Sequence, residues 1–474
     1  MTKFNLKKYW LFLIIFLSLL IFSPALFNFF SSDDWFHLRI SQIISFKDFF
    51  SFFSFFPNQH SAAFYRPIPT QVFFFVFQKL FDLNAWPYYL FVFLFFGFSL
   101  WLVYRLAKIV FKNEKQSLLA LVFYAFSVTH FTRLYSLSAF QEILMTVFVL
   151  LAILTYLKKP SWKTNLLTAF FFILALLSKE TAVVLPLILI LFDRFNGCFR
   201  PKRLIPILLI LLPYLYFRFF HFGQVSGDSY LWNFSVKKFL NTFFWYSLWS
   251  FGAPELLVDY VSGGFRILPR FFSDFPFWSK IILSLTGFSL FSFATLFTVY
   301  FKKINFKKVW LFLGIFFLAL LPVLFLPWHK FTLELTLPMV GFSFLLAEIC
   351  LTKHSWLTTV FISLFIILNL SMNLLTYQTH YAVSRSQIAK KVYYYFTRNY
   401  PQYPEGRYFE FTNDQEVGNK IWGVSKQVAF AVGDDNFFQV LYHNQNVKVF
   451  YQDLPEERPK DKQVIIIPAK IFLP

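Results

Sequence analysis

The feature that most constrains this chain is a recurrence of apolar blocks, each roughly 15 to 25 residues long, separated by short clusters of lysine and arginine. A helix needs about 20 such residues to cross ~30 Å of hydrocarbon, so the blocks have the length of membrane spans. The 474 residues are 57% hydrophobic and 14% charged, whereas soluble domains carry about 25% charged residues. A soluble fold cannot hide that much apolar surface. The 75 phenylalanines are spread through nearly every block and read mainly as lipid-facing filler. The formal charge of +20 sits in separate groups between blocks, which argues for membrane topology and against nucleic acid as a partner. Cys198 and Cys350, the only cysteines, supply neither a disulfide framework nor a cysteine-based zinc site.

Lys3, Lys7 and Lys8 precede the apolar run 9–30, and the positive-inside rule puts the N-terminus in the cytoplasm. That run exceeds a signal-peptide core and lacks a small-x-small cleavage site, so a retained first helix is expected. Basic groups follow at Arg105 to Lys115, Lys158 to Lys163, Arg194 to Arg203 and Lys302 to Lys308. Threading helices between them gives about eleven crossings, near 9–30, 86–110, 116–132, 139–157, 164–178, 181–193, 204–222, 279–300, 309–327, 333–351 and 355–376. Segment 238–258 is apolar, but a crossing there would move Lys302 to Lys308 outside, so it is placed as a re-entrant or interfacial helix. Two outer loops result, 31–85, whose KDFFSFFSFF stretch reads as an interface helix, and 223–278. The tail 377–474 predicts a helix to about 398 and then strands at RYFEF, QVAFAV, NVKVFY and QVIIIP. The expected fold is an α-helical polytopic membrane protein with a membrane domain over 1–376 and a small extracytoplasmic α/β domain over 377–474.

Several ionisable groups fall on the outer side of this topology. Asp33 and Asp34, in SSDDWFHLRI, stand at an apolar-aqueous boundary where a carboxylate can take the proton of an attacking hydroxyl or hold a divalent cation. The sequence disfavours the metal, and the plainer alternative is a pair that ends a helix. Arg66, in FYRPIPT, follows Tyr65 and is stiffened by two prolines, which suits a phosphate contact as well as a snorkelling side chain. Lys179 and Glu180 break two apolar runs, and ionisable residues there are functional hypotheses by default, with a structural Lys–Glu pair as the alternative. His329 and Lys330, in LPWHKFTLELTLP, have Glu334 one turn on. His130, Arg133, Gln141 and Glu142 gather at neighbouring helix ends. Cations for a phosphate beside a carboxylate for an acceptor are what a polyprenyl-phosphate donor requires.

These residues resemble the GT-C superfamily of membrane glycosyltransferases, in the protein O-mannosyltransferase-like branch with the transmembrane TPR-containing mannosyltransferases and bacterial relatives. The matching pieces are DDW at 33–35, YRPI at 65–68, LSKETAVVLP at 177–186 and HKFTLELTLPMVG at 329–341, a variant of that branch's RYLYLPS-type segment. The resemblance spans about 1–376. It implies inverting transfer of a sugar, with mannose the donor sugar of the branch, from a polyprenyl-phosphate carrier to a protein, lipid or glycan acceptor on the extracytoplasmic face. It assigns Asp33 or Asp34 as base and Arg66, Lys179 and Lys330 to the donor phosphate; the residues themselves add His329 to the phosphate set and Tyr65, Glu180, Arg133, Glu142 and Glu334 in support. The chain departs from the branch in lacking the usual arginine of the RYLYLPS-type segment and in carrying Arg133 near where relatives have an acidic residue. It has no TPR array. A lipid or ion transporter with Lys179 and Glu180 in its path, and a scaffold displaying the tail, are the readings from other classes.

Overall fold

The structure is a computed structural model that describes residues 6–43, 45–62, 64–222, 230–350, 355–413, 423–459 and 463–473. The chain enters as α1 (Leu6–Phe22), followed by the short helices α2 (Asp33–Ile40), α3 (Phe46–Ser51) and α4 (Phe73–Phe81). Next come α5 (Ala85–Phe111), α6 (Glu114–Ala125), α7 (Phe131–Tyr135), α8 (Phe140–Tyr156), α9 (Trp162–Leu176), α10 (Leu185–Phe195) and α11 (Pro201–Phe217). α12 (Val236–Phe251) leads into a hairpin of β1 (Val261–Ser262) and β2 (Arg266–Ile267) and the short α13 (Arg270–Asp274). α14 (Trp278–Tyr300), α15 (Phe306–Leu324), α16 (Pro338–Cys350) and α17 (Trp356–Thr379) complete the apolar part. Helix starts follow side-chain chemistry. Asn84, Asn113, Ser161, Asn305 and Ser355 each accept a backbone N–H of the first turn of α5, α6, α9, α15 and α17.

Among the described residues seven helices are long and apolar enough to cross a membrane, or eight if one bent pair is a single span. The chain is a multi-pass membrane protein. Each expected span forms helix, and those outside this length-and-composition criterion differ from the rest in two physical ways. The 116–132 block bends by 52° between α6 and α7. The Val128 N–H released at this break is accepted by Asn369 Oδ1 of α17 at 2.9 Å, so the bend leaves that buried donor satisfied. The second is length, since α9, α10 and α16 have 15, 11 and 13 residues. Every residue of α16 is buried in protein, and hydropathy alone cannot distinguish such a core helix from a span. Along the α8 span 72% of residues are buried, against 22% in the spans of α11 and α14, so α8 is central and the other two face lipid.

The loop 31–85 is more helical than expected. A π-helical turn, Ile68–Val72, runs directly into α4, because Pro67 and Pro69 lie at its start, where a missing N–H costs nothing. The KDFFSFFSFF stretch yields only α3. The 238–258 segment forms α12, at 16 residues, too short to span. Gly252 closes it at φ +111°, packed so closely on Asn369 that a Cβ there would lie 2.5 Å from the amide nitrogen.

The tail begins with α18 (Tyr381–Asn399), separated from α17 by His380 alone. The joined run of 44 residues is roughly twice the hydrocarbon thickness, which carries α18 beyond the bilayer. β3 (Arg407–Thr412), β4 (Val449–Tyr451) and β5 (Gln463–Pro468) form a parallel sheet in the order β4-β3-β5, with Phe409 opposite both Val449 and Ile465. The QVAFAV run is corrected from strand to helix: it lies in α19 (Val424–Val432), and α20 (Asn436–Leu441) follows. Its buried residues, Val424, Ser425, Val428, Ala429, Ala431 and Val432, recur at helical spacing. Gly433 ends it at φ +62°, the left-handed cap that glycine supplies.

The tail clamps α2. Ser32 N–H donates to Ala431 O at 2.9 Å, Arg39 Nε donates to Asn436 Oδ1 at 2.6 Å, and Trp35 meets Phe437 edge-on at 4.8 Å. A Cβ on Gly433 would lie 2.8 Å from Ser32 O. Gly433→Ala is therefore expected to destabilise the protein by about 1–3 kcal/mol, from the left-handed backbone and the contact together. Thermal unfolding of the purified protein checks this; an unchanged midpoint would refute the clamp.

Candidate active site

Two cavities meet at a group of buried ions. The polar one, of about 450 Å³, is lined by Asp33, His37, Ser138, Gln141, Tyr381 and Arg385 among others, and the apolar one, of about 190 Å³, by Val183, Tyr214, Leu215, Phe219, Pro322 and Leu326 among others. Phe64, Arg66, Lys179, Tyr230, His329 and Glu334 line both.

The sequence builds this junction by interrupting helices. α9 ends at Leu176, Lys179 is extended (φ −161°, ψ 139°), and Glu180–Val184 forms a 3-10 turn before Pro186 starts α10. The Thr332–Leu335 turn before Pro338 of α16 does the same for Glu334. Glu142 lies in the first turn of α8, where the helix dipole favours a carboxylate. Lys179 and Glu180 do not pair with one another. Lys179 Nζ donates to Glu142 Oε1 and, at 2.7 Å, to Glu334 Oε2. The other Glu334 oxygen is 3.5 Å from His329 Nε2.

Glu180 instead grips Arg66, which donates from Nε to Glu180 Oε2 at 2.7 Å and from Nη2 to Glu180 Oε1. Arg66 Nη1 reaches Gln141 Oε1 at 2.8 Å, and the Phe64 ring lies 4.0 Å from the guanidinium. Burial works to raise the Glu180 carboxyl, but the Arg66 charge and hydrogen bonds outweigh it and hold the group at about 2.

The two aspartates have different surroundings. Asp34 is fully buried and accepts the Ser31 N–H at 3.0 Å and the Ser138 N–H at 2.7 Å, tying α2 to the start of α8. Burial pushes its carboxyl up to about 7 against those two donors. Asp33 is exposed, into the polar cavity. The enclosing walls raise its carboxyl above the usual range, and the Arg385 charge draws it back. Between the loop and these carboxylates, Ser32 adopts φ 54°, ψ −123°, a strained region for a side-chain-bearing residue. His37 also lines the cavity, and burial and then the Arg66 charge lower its imidazole to about 3, so it is neutral.

Other residues singled out from the sequence lie around this junction and outside both cavities. Arg133 is fully buried and binds Leu333 O at 2.8 Å and Thr336 Oγ1 at 2.7 Å, bracing the turn that carries Glu334. Its Nε donates to His130 Nδ1, which leaves His130 Nε2–H to donate to Tyr124 O at 2.7 Å. Tyr65 donates to Phe53 O at 2.8 Å and stacks on Phe55. Lys330 reaches Asn241 of α12 at 3.0 Å. The sequence reading missed Tyr230, which packs 4.5 Å from His329, and Tyr381 and Arg385 from the tail. It also missed Glu255, which accepts the Thr332 N–H at 2.6 Å. Among the described residues no three His, Cys, Asp or Glu side chains gather as metal ligands.

Residues 66–217 match the family described as dolichyl-phosphate-mannose-protein mannosyltransferase, which is less than half of the chain. A crystal structure of ArnT from Cupriavidus metallidurans bound to undecaprenyl phosphate is similar over 94% of this chain and 90% of that one, at 14% identity and a TM-score of 0.36. No curated protein matches in sequence.

Removing Lys179 would leave two carboxylates buried without their cation, which costs about 3–5 kcal/mol. Lys179→Met is expected to lower the unfolding midpoint sharply, and adding Glu142→Gln to recover part of the loss. A double-mutant cycle on purified protein measures the coupling, and strict additivity would refute the clamp.

Proposed function

With residues 66–217 matching a GT-C glycosyltransferase family, we propose that this chain is a membrane glycosyltransferase that moves one sugar from a polyprenyl-phosphate carrier to an acceptor hydroxyl. The observation that carries the reading is the meeting of an apolar and a polar cavity at buried cations, with Asp33 in the polar one. The polyprenyl chain occupies the apolar cavity between α11 and α15. Its phosphate lies at Arg66, Lys179 and His329, and the sugar projects toward Asp33. Asp33 accepts the proton of the acceptor hydroxyl as its oxygen bonds to the anomeric carbon. The bond from that carbon to the phosphate oxygen breaks on the opposite face, giving inversion, and polyprenyl phosphate leaves with the electron pair. Cations at the junction stabilise the charge developing on the phosphate. Asp34 holds α2 in place, and the donor sugar proposed is mannose, on the family's description.

The orientation proposed has the N-terminus in the cytoplasm. The basic groups at the C-terminal ends of α5, α8, α10 and α14 lie at the ends of helices away from the cavities, and the positive-inside rule puts them in the cytoplasm. The site and the tail then face outward.

The test uses purified protein with a polyprenyl-phosphate mannose. Asp33→Asn is expected to lower turnover about 10²–10⁴-fold while leaving polyprenyl-phosphate binding intact, as for loss of a general base. Arg66→Gln is expected to weaken donor binding. Full turnover in Asp33→Asn would sink the base assignment, and failure of the wild type to bind polyprenyl phosphate would sink the donor reading.

A further inference from the structure

The cations at the junction are already held by carboxylates. Arg66 is held by Glu180 and Lys179 by Glu142 and Glu334. Arg385, from tail helix α18, is different. It lines the polar cavity and not the apolar one. Among the described residues it makes no ion pair, and its hydrogen bond is to Ser32 Oγ at 3.3 Å. The guanidinium is positioned by aromatic rings, 4.6 Å from the Tyr381 centroid and 5.2 Å from that of Phe430. A guanidinium has five N–H donors, so most of those on Arg385 remain available.

A half-buried arginine fixed between rings, with no carboxylate in ion-pair contact among the described residues, presents its remaining donors to whatever enters the cavity. Arg385 shares its cavity with Asp33, and hydroxyls of Ser32, Thr132, Ser136 and Ser138 line the same walls. The apolar cavity, where the carrier lipid lies under the proposed function, opens on the junction and not on Arg385. We propose that Arg385 is an anion-binding residue for the acceptor, so that the hydroxyl presented to Asp33 belongs to a molecule bearing a phosphate or carboxylate close to it. This rests on the glycosyltransferase reading for its acceptor side, and its ligand chemistry stands on the cavity alone. A planar fork of donors favours an oxyanion of either kind. The tail, which also brings Tyr381 to this cavity, thereby contributes a specificity residue to the site.

The experiment measures binding of glycerol phosphate, glucuronate and neutral methyl mannoside to full-length protein in nanodiscs, with and without bound polyprenyl phosphate, by calorimetry. The wild type is expected to bind at least one of the two anions and not the neutral sugar, and the preferred anion separates a phosphate from a carboxylate source. Arg385→Gln is expected to weaken that binding about tenfold or more, the loss of a charge-assisted contact, and Arg385→Lys to restore part of it. Both variants are expected to keep polyprenyl-phosphate affinity and a cooperative unfolding transition. Equal anion binding by wild type and Arg385→Gln overturns the inference, as does no anion binding by the wild type. Loss of polyprenyl phosphate in Arg385→Gln overturns it too, since Arg385 would then serve the donor. If the wild type binds no polyprenyl phosphate yet binds an anion through Arg385, the donor reading falls and this one stands.

Discussion

Three segments far apart in the chain converge on the ammonium of Lys179: the first turn of α8 with Glu142, the break between α9 and α10 that holds Lys179 itself, and the turn before α16 with Glu334. Each of these charges alone would cost several kcal/mol inside a membrane protein. Together they satisfy one another, and the helices must stop where they do for the groups to meet. The neighbouring residue, Glu180, then points to Arg66, which ties the segment before α4 to the same point. The boundary between the polar and apolar cavities is a consequence of this cluster.

The adjacent aspartates show how one residue of offset separates two jobs. Asp34 has a backbone N–H on each oxygen, so its carboxylate is a structural tie between α2 and α8. Asp33 lacks such ties and faces the cavity. Immediately before the two aspartates Ser32 is held at positive φ, a strain of about 1–3 kcal/mol. The Ala431 carbonyl and the Arg385 guanidinium both grip Ser32. The tail thus sets the backbone geometry beneath Asp33, and Gly433 is a glycine because the two backbones approach so closely there.

Much of this was legible in the sequence, and the rest fails for identifiable reasons. Apolar block length and lysine clusters locate the helices, since hydropathy reports a segment removed from water, whether by lipid or by protein. They do not tell which helices face lipid, because α16, wholly wrapped by protein, has the same composition as a lipid-facing helix. The QVAFAV run reads as a strand on β-propensity alone, but Gly433 and the spacing of buried residues favour helix. Asp33, Arg66, Lys179, Glu180, Glu142, His329 and Glu334 stand out as charges next to apolar runs, and they do converge. Their partners were not legible, because pairing is set by where the breaks point. Lys179 and Glu180 are adjacent and yet serve different partners. Arg385 carries no such signal, lying in a polar helix among other charges.

The stoichiometry of donors bears on whether the cluster can receive a phosphate without coming apart. An ammonium has three N–H donors and a guanidinium five. Lys179 spends its donors on Glu142 and Glu334, which leaves one. Arg66 uses Nε, Nη1 and Nη2 once each, on Glu180 and Gln141, which leaves two. Both residues line the junction of the cavities. The carboxylates therefore hold the cations in place without exhausting them. A phosphate oxygen can be met by spare N–H groups already fixed in position, so that little reorganisation is needed as charge develops there. The same clamp that makes the fold possible in an apolar setting is the one that preorganises the junction.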